Sequence, residues 1–393
     1  MPTCSEDDRG ERSGENGHRG GIMVRSDRAT HAELPWDRIR RVLLIRLRSI
    51  GDTVLMTPCL TALKTWRPEL QISVLSEALS APLLEDHPQV DEVIVVEREG
   101  RWLSDGVRRG QLARRLRERA FDAVFNLHGG TTATLLAFLS RAPERIGYRG
   151  YRYSWLHNRR APDPSQIWQK SAIHSAEQQL GLLKWCGVPI ASPPPSSLRA
   201  SEQALVSVRR RLRQMGLRGP FAVIHPAATH ETKRWSAAKF AHVVQYLAAK
   251  HELPSIIIAA RHEGHITDAV KGFAGMAAHP LTDLTLKEVI ALLRQAALFV
   301  GNDSGPAHIA AAVGCPTVVI FGASDPLVWR PWSTAPSAIV RTPHDHLGVP
   351  LPPEERIRHV RVEQVTEAIE RVLASIAGEP SVRASVAEWD RSP

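Results

Sequence analysis

The sequence predicts an α/β protein built as two successive halves, each a parallel sheet covered by helices. Three observations lead there. Short blocks rich in Val, Leu and Ile alternate with longer helical stretches along the whole chain, the mark of repeated βα units rather than of a sandwich or a bundle. A Pro/Ser tract from Gly187 to Ser197 divides that alternation near its middle, and such a tract continues neither helix nor sheet. In each half a strand block runs into a tight turn and a helix start, as Ser49-Ile50-Gly51-Asp52-Thr53 and Gly301-Asn302-Asp303-Ser304-Gly305-Pro306. Two halves of this kind put a cleft between the carboxyl ends of two sheets.

Residues 1–38 are rich in Gly, Ser, Arg, Asp and Glu and read as a disordered extension. They lack the apolar segment of a secretory signal. A first domain spans 39–190, with strands expected over 42–47, 71–75, 93–96 and 123–127. Its helices are expected over 53–66, 107–119, 131–140 and 171–185, and Pro58 bends or shortens the first of them. Residues 191–200 form the Pro/Ser linker. The second domain, 201–361, begins with a helix over 201–215 and a strand over 221–225. Helix and strand pairs follow at 239–250 with 255–260, 286–296 with 298–300, and 309–313 with 317–321. A last helix over 362–377 is expected to pack back on the first domain, and 378–393 reads as a frayed tail.

The chain has 393 residues, enough for two sizeable cores, and its 43% apolar content is ordinary for a globular protein. No apolar run approaches the ~20 residues needed to span a bilayer. Its four cysteines, Cys4, Cys59, Cys186 and Cys315, have no metal or redox spacing, which fits a reducing cytosol. The net charge of +9 is concentrated locally. One arginine cluster, from Arg98 and Arg101 to Arg119, reads as a solvated helix face. Another, from Arg141 to Arg160, includes Ile146-Gly147-Tyr148-Arg149-Gly150-Tyr151-Arg152-Tyr153, which reads as a loop suited to forked contacts with carboxylates or phosphates. An anionic membrane surface would attract such a cluster by about 1 kcal/mol per basic residue. No nucleic-acid recognition module is legible.

The Gly305 helix start directs backbone N–H groups and a helix dipole at a negative ligand, worth ~0.3–2 kcal/mol. Asp52 is compatible with two roles: a helix cap worth about 1 kcal/mol, or a carboxylate meeting a ligand between the domains. Lys233, in His225-Pro226-Ala227-Ala228-Thr229-His230-Glu231-Thr232-Lys233-Arg234-Trp235-Ser236, suits a phosphate as a flexible point charge, although a lysine is ordinarily a solvent-facing residue. His308 fits a ligand contact and a packing histidine equally. There is no Asp-x-Asp pair, His-Glu-x-x-His or Cys-x-x-Cys, and neither a P-loop nor a Gly-x-Gly-x-x-Gly fingerprint. These absences leave no legible metal site and argue against a P-loop nucleotidase or an NAD enzyme.

The turn Ser49-Ile50-Gly51-Asp52, the segment His225-Pro226 through Lys233-Arg234-Trp235, and Asn302-Asp303-Ser304-Gly305-Pro306-Ala307-His308 together resemble the lipopolysaccharide heptosyltransferases of glycosyltransferase family 9. Phe321-Gly322-Ala323-Ser324-Asp325-Pro326 and Arg145-Ile146-Gly147-Tyr148 extend the resemblance, which covers roughly Arg41 to Ala374. It implies a GT-B architecture, two Rossmann-like domains with the acceptor on the first and a nucleotide-sugar on the second. It also implies an inverting, metal-independent transfer from an ADP-heptose-like donor, with no cofactor, to an anionic lipopolysaccharide core acceptor at the cytoplasmic face of the inner membrane. By similarity, Asp52 is the general base, and Thr229, Lys233, Asp303, Ser304, Gly305 and His308 bind the donor. Gly51, Arg145, Arg149 and Arg152 are expected to meet the acceptor. Known members often carry an acidic residue after the strand at 255–260, where it helps hold the donor ribose. Here Arg261 comes first, and Glu263 is the available substitute. The alternatives are a related transferase with another donor or acceptor, a GT-B-like nucleotide-sugar epimerase, and a non-catalytic basic binder of lipopolysaccharide or nucleic acid.

Overall fold

A computed structural model describes residues 32–96, 106–342, 344 and 348–377. β1 (Arg41–Ile45) is the centre of the first sheet because both its faces are apolar. Val42 and Leu44 enter one buried cluster and Leu43 and Ile45 another, as expected of a parallel strand covered by helices on both sides. Its companions are β2 (Gln71–Glu77), β3 (Glu92–Val96), β4 (Ala123–Asn126), β5 (Glu144–Tyr148) and β6 (Arg159–Ala161). The order is β3-β2-β1-β4-β5-β6. The second sheet contains β7 (Ala222–His225), β8 (Ser255–Ile258), β9 (Ala278–Leu281), β10 (Leu298–Asn302), β11 (Thr317–Phe321) and β12 (Ser337–Arg341), in the order β12-β11-β10-β7-β8-β9. Both sheets are parallel and doubly wound, so each reverses direction beside its first strand, between β1 and β4 and between β7 and β10. A crevice opens at such a reversal point.

The expected two-domain α/β organisation is therefore present, and four local expectations are corrected. Residues 34–36 do not belong to a disordered extension. Leu34 and Trp36 are buried, the Trp36 ring packs edge-on against Trp66 at 4.9 Å, and its indole donates to the Cys186 carbonyl at 2.7 Å. Two apolar side chains anchor a segment that composition alone assigns to solvent. Residues 1–31, the tail 378–393, and Arg98 and Arg101 of the first arginine cluster lie outside the described residues. The expected helix over 53–66 is two helices, Ile50–Val54 and Thr57–Trp66, with Pro58 in the first turn of the second, where its missing N–H costs nothing.

The arginine-rich segment 141–160 is not a loop. It contains β5, a 3-10 turn at Ser154–Leu156, and β6. The last helix, Val362–Ala377, packs on β11, β12 and the helix Ala237–His251 of the second domain rather than back on the first. Val365, Ala368, Ile369 and Val372, at helical spacing, seal that side of the second sheet.

The linker is tied down on both sides. The Ser197 N–H donates to Thr57 Oγ1 at 3.0 Å, and the Leu198 N–H to the Ala312 carbonyl at 3.0 Å. One apolar cluster runs from Leu60 and Leu83 of the first domain to Ile290, Leu293 and Ala307 of the second. Cys59, Cys186 and Cys315 are free and buried, and burial pushes their thiols up. Among the described residues, no helix is long and apolar enough to cross a membrane.

Candidate active site at the domain junction

At the end of β1 the chain keeps contact with the sheet for one more residue, the Arg46 N–H donating to the Leu75 carbonyl at 3.0 Å. It then reverses through Ser49, whose φ of 68° is left-handed, a conformation that costs a non-glycine residue of order 1–3 kcal/mol. This turn starts the helix Ile50–Val54 and takes the cap role away from Asp52. Ser49 holds the cap position, its carbonyl accepting from the Thr53 N–H at 3.1 Å. The Asp52 carboxylate instead forms an ion pair with Arg46. Arg46 is itself buried and fixed, donating from Nη1 to the Leu127 carbonyl at 2.8 Å.

The second domain repeats this plan at β7 and β10. Asn302 at the end of β10 is buried and braces the opposite loop. Its carbonyl oxygen accepts from the Trp235 N–H at 3.1 Å, and its amide donates to the Pro226 carbonyl at 2.8 Å. Trp235 is thereby packed beneath the loop. Asp303 follows, also buried, accepting from Lys233 Nζ at 2.8 Å and from the Ser324 hydroxyl. The Ser304 hydroxyl donates to the Asn302 carbonyl at 3.0 Å and accepts from His225 Nδ1 at 3.1 Å. Burial pushes His225 down to about 4, so it is neutral near pH 7. Lys233 ends the 3-10 turn Glu231–Lys233. That turn sits close because position 322 is glycine: any Cβ there would collide with the Thr232 carbonyl.

The two reversal points meet. A Cβ on Gly51 would lie 2.8 Å from the His308 ring, and one on Gly305 would lie 2.8 Å from Ile50, so paired glycines let the helices Ile50–Val54 and Gly305–Ala312 touch. His308 is enclosed there. Burial holds its imidazole below the ordinary range, against the opposite pull of Asp303 and Asp52. The site residues expected around the donor are thus assembled at one place together with the expected base. Beside them opens a cavity of about 470 Å³. The first domain contributes Ser49, Ile50, Gly51 and Leu79 to its wall, and the second contributes Thr229, Ser304 and Gly305 together with Glu263. An apolar side is formed by Ile258, Leu281, Leu284, Leu286 and Val289.

The arginines expected at the acceptor are placed differently. Arg145 lies near the amino end of β5, the end of the sheet away from Asp52. Its guanidinium is committed to the Ala142 carbonyl at 2.7 Å and the Leu156 carbonyl at 3.3 Å. It is a strand residue rather than a loop residue, which removes it from the cleft. Arg149 follows the carboxyl end of β5 and donates to the Arg160 carbonyl at 3.2 Å, and Arg152 lies over the Tyr153 ring. Sequence reasoning missed Arg46, Ser324 as a partner of Asp303, and the apolar side of the cavity. For Arg46 a signal was present: a cation closing the apolar run Val42-Leu43-Leu44-Ile45 needs a partner when buried.

Two Rossmann-like domains facing each other with opposed reversal points define the GT-B class of glycosyltransferases. The family model for glycosyltransferase family 9 (heptosyltransferase) matches residues 109–346, and the chain belongs to that family. It is similar to lipopolysaccharide heptosyltransferase 3 of Escherichia coli (strain K12), with 29% identity over 73% of this chain and 84% of that protein. In three dimensions it resembles E. coli ADP-heptose lps heptosyltransferase II, at a TM-score of 0.71 and 21% identity over 86% of this chain and 100% of the other. It also resembles the E. coli heptosyltransferase WaaC solved with ADP, at a TM-score of 0.66 and 20% identity over 84% and 99% of the two chains.

Proposed function

We propose that this glycosyltransferase moves a heptose from ADP-heptose to a Kdo or heptose of an acidic lipopolysaccharide core acceptor, with inversion at the anomeric carbon and without a metal ion. The observation that carries this reading is the pairing of opposite offerings at the junction: a carboxylate from the first domain, and a cation beside a helix N-terminus from the second. Asp52 accepts the proton of the acceptor hydroxyl as that oxygen forms its bond to the anomeric carbon. The bond from that carbon to the diphosphate breaks on the opposite face, and the electron pair leaves with the diphosphate. Lys233, together with the Gly305 N–H region, meets that charge. Arg46 keeps the carboxylate aimed without taking its proton.

The donor fits the cavity by chemistry. An adenine has the apolar side of Ile258, Leu281, Leu284, Leu286 and Val289 to lie against, and Glu263 stands in the wall where a ribose hydroxyl needs an acceptor. Thr229, Ser304 and His308 complete the diphosphate surroundings, and Asp303 holds Lys233 until the donor arrives. The acceptor approaches over Gly51, with Arg149 and Arg152 as the charged contacts nearest to it. Such an acceptor places the working enzyme at the cytoplasmic face of a membrane. Calorimetric titration with ADP, UDP, GDP and CDP, without added metal, tests the reading. Selective ADP binding followed by heptose transfer to a Kdo-bearing lipid A supports it. Preference for another nucleotide overturns the donor.

A further inference from the structure

The first domain carries a surface that contributes nothing to the wall of the cavity. The helix Thr131–Leu139 and the 3-10 turn Ser154–Leu156 lie side by side on the outer layer covering β4 to β6. They expose three aromatic rings to water: Trp155 at 70%, and Phe138 and Tyr153 at 44% each. Arg145 fastens the two elements together, its guanidinium 5.9 Å from the Phe138 ring centre while it donates to the Leu156 carbonyl. Tyr153 is held in a left-handed conformation, φ 59°, a position glycine or asparagine occupies at lower cost.

The charge around these rings has one sign. Residues 138–160 contain six arginines and one acidic residue, Glu144, and Glu144 is paired with Arg159. Arg141, Arg149, Arg152 and Arg160 are exposed. The second domain shows what this surface is not. Phe273 and Met276 are also exposed there, at 62% and 90%, but in the segment around them Lys271 is offset by Asp268.

We propose that this face of the first domain docks on an anionic phospholipid bilayer. Rings with apolar bodies enter the interfacial layer while the guanidiniums stay at the level of the headgroup phosphates. A second copy of the chain is disfavoured as occupant, because the face would meet its own positive charge. The inference rests on the proposed function only for its use, bringing a lipid-linked acceptor and the cleft to the same membrane.

The test is co-sedimentation of the full chain with vesicles of phosphatidylethanolamine, with and without phosphatidylglycerol. Binding is expected only with phosphatidylglycerol. Trp155→Ala should weaken it by roughly tenfold, and Arg141→Gln and Arg160→Gln by about fivefold each. Met276→Ala should match the wild type. Unchanged thermal unfolding shows that the variants are folded, and unchanged ADP titration separates this result from any failure of the donor reading. Equal binding to both vesicles, or undiminished binding by Trp155→Ala and the arginine variants, overturns the proposal. So does a face that instead binds a single-stranded oligonucleotide, or that proves to be a self-association surface by sedimentation.

Discussion

The two domains solve the same local problem with opposite signs. Each ends its first-built strands at a reversal point, and each keeps a carboxylate there in an ion pair with a nearby cation. In the first domain the better-buried partner is the cation: the Arg46 side chain is 10% exposed and Asp52 17%. In the second it is the carboxylate: Asp303 is 6% exposed and Lys233 29%. A planar guanidinium tied to the Leu127 carbonyl is a fixed support, whereas a lysine is a point charge on a flexible stem. The first domain therefore presents a carboxylate to the junction and the second presents a cation. That difference is what a transfer reaction between a hydroxyl and a diphosphate leaving group needs.

The most direct way to break this comparison is to exchange the base. Asp52→Asn should lower turnover by ~10²–10⁴-fold, the contribution of a positioned base, while ADP affinity by calorimetry is unchanged. Near-wild-type turnover would remove Asp52 from the reaction. Lys233→Ala should act on the other side, weakening ADP by roughly 10–100-fold, the range for losing a hydrogen bond to a charged group. If ADP bound equally well without Lys233, the cation offered by the second domain would have no ligand to meet.

Double-mutant cycles sharpen the contrast between fixed support and movable charge. For Arg46→Met with Asp52→Asn, the coupling in urea unfolding should approach about 2–3 kcal/mol, because removing one member of a buried pair leaves the other uncompensated. For Lys233→Met with Asp303→Asn it should stay near or below about 1 kcal/mol, since Lys233 is partly solvated. Equal couplings would mean that both cations are structural.

Much of this contrast was legible in the sequence because it rides on short-range signals. Apolar blocks marked the central strands, and Gly/Ser turns marked both reversal points. The absence of Asp-x-Asp was visible as well. What escaped was of two kinds. Edge and near-edge strands such as β5, Glu-Arg-Ile-Gly-Tyr, and β12, Ser-Ala-Ile-Val-Arg, carry charge and partial exposure, so their periodicity resembles a loop. That error put Arg145 at the cleft. Partners separated by long stretches of chain were the other kind. Trp36 finds Cys186 across 150 residues, and the terminal helix chooses the second domain because of an open sheet face that local sequence does not contain. Arg46 lay in plain view, but only burial shows that its charge must be answered by Asp52.

Acid offers a gentler probe of whether the two halves stand independently. Burial pushes His157 and His174 of the first domain, and His225 of the second, down to about 4. The unfolded chain binds these protons near pH 6.5, so it holds more protons than the folded chain between those values. Their stability is fully present above about pH 6.5 and is lost as the pH falls toward 4. Each removes about 1.4 kcal/mol per pH unit inside that window. His174 ties the halves together. Its Nδ1 accepts from the Ala176 N–H at 3.1 Å to cap the helix Ser175–Trp185, its Nε2 donates to the Arg330 carbonyl at 2.8 Å, and its ring stacks on Trp332. Protonation turns the capping nitrogen into a donor and breaks that contact. His174→Asn keeps a capping oxygen but does not titrate, so its unfolding free energy should fall less steeply between pH 6.5 and 4.5 than that of the wild type. Because the apolar cluster crosses the junction, calorimetry should show one transition at pH 5. Two resolved transitions would mean that the halves unfold separately, and the opposed ion pairs would then belong to two independent domains.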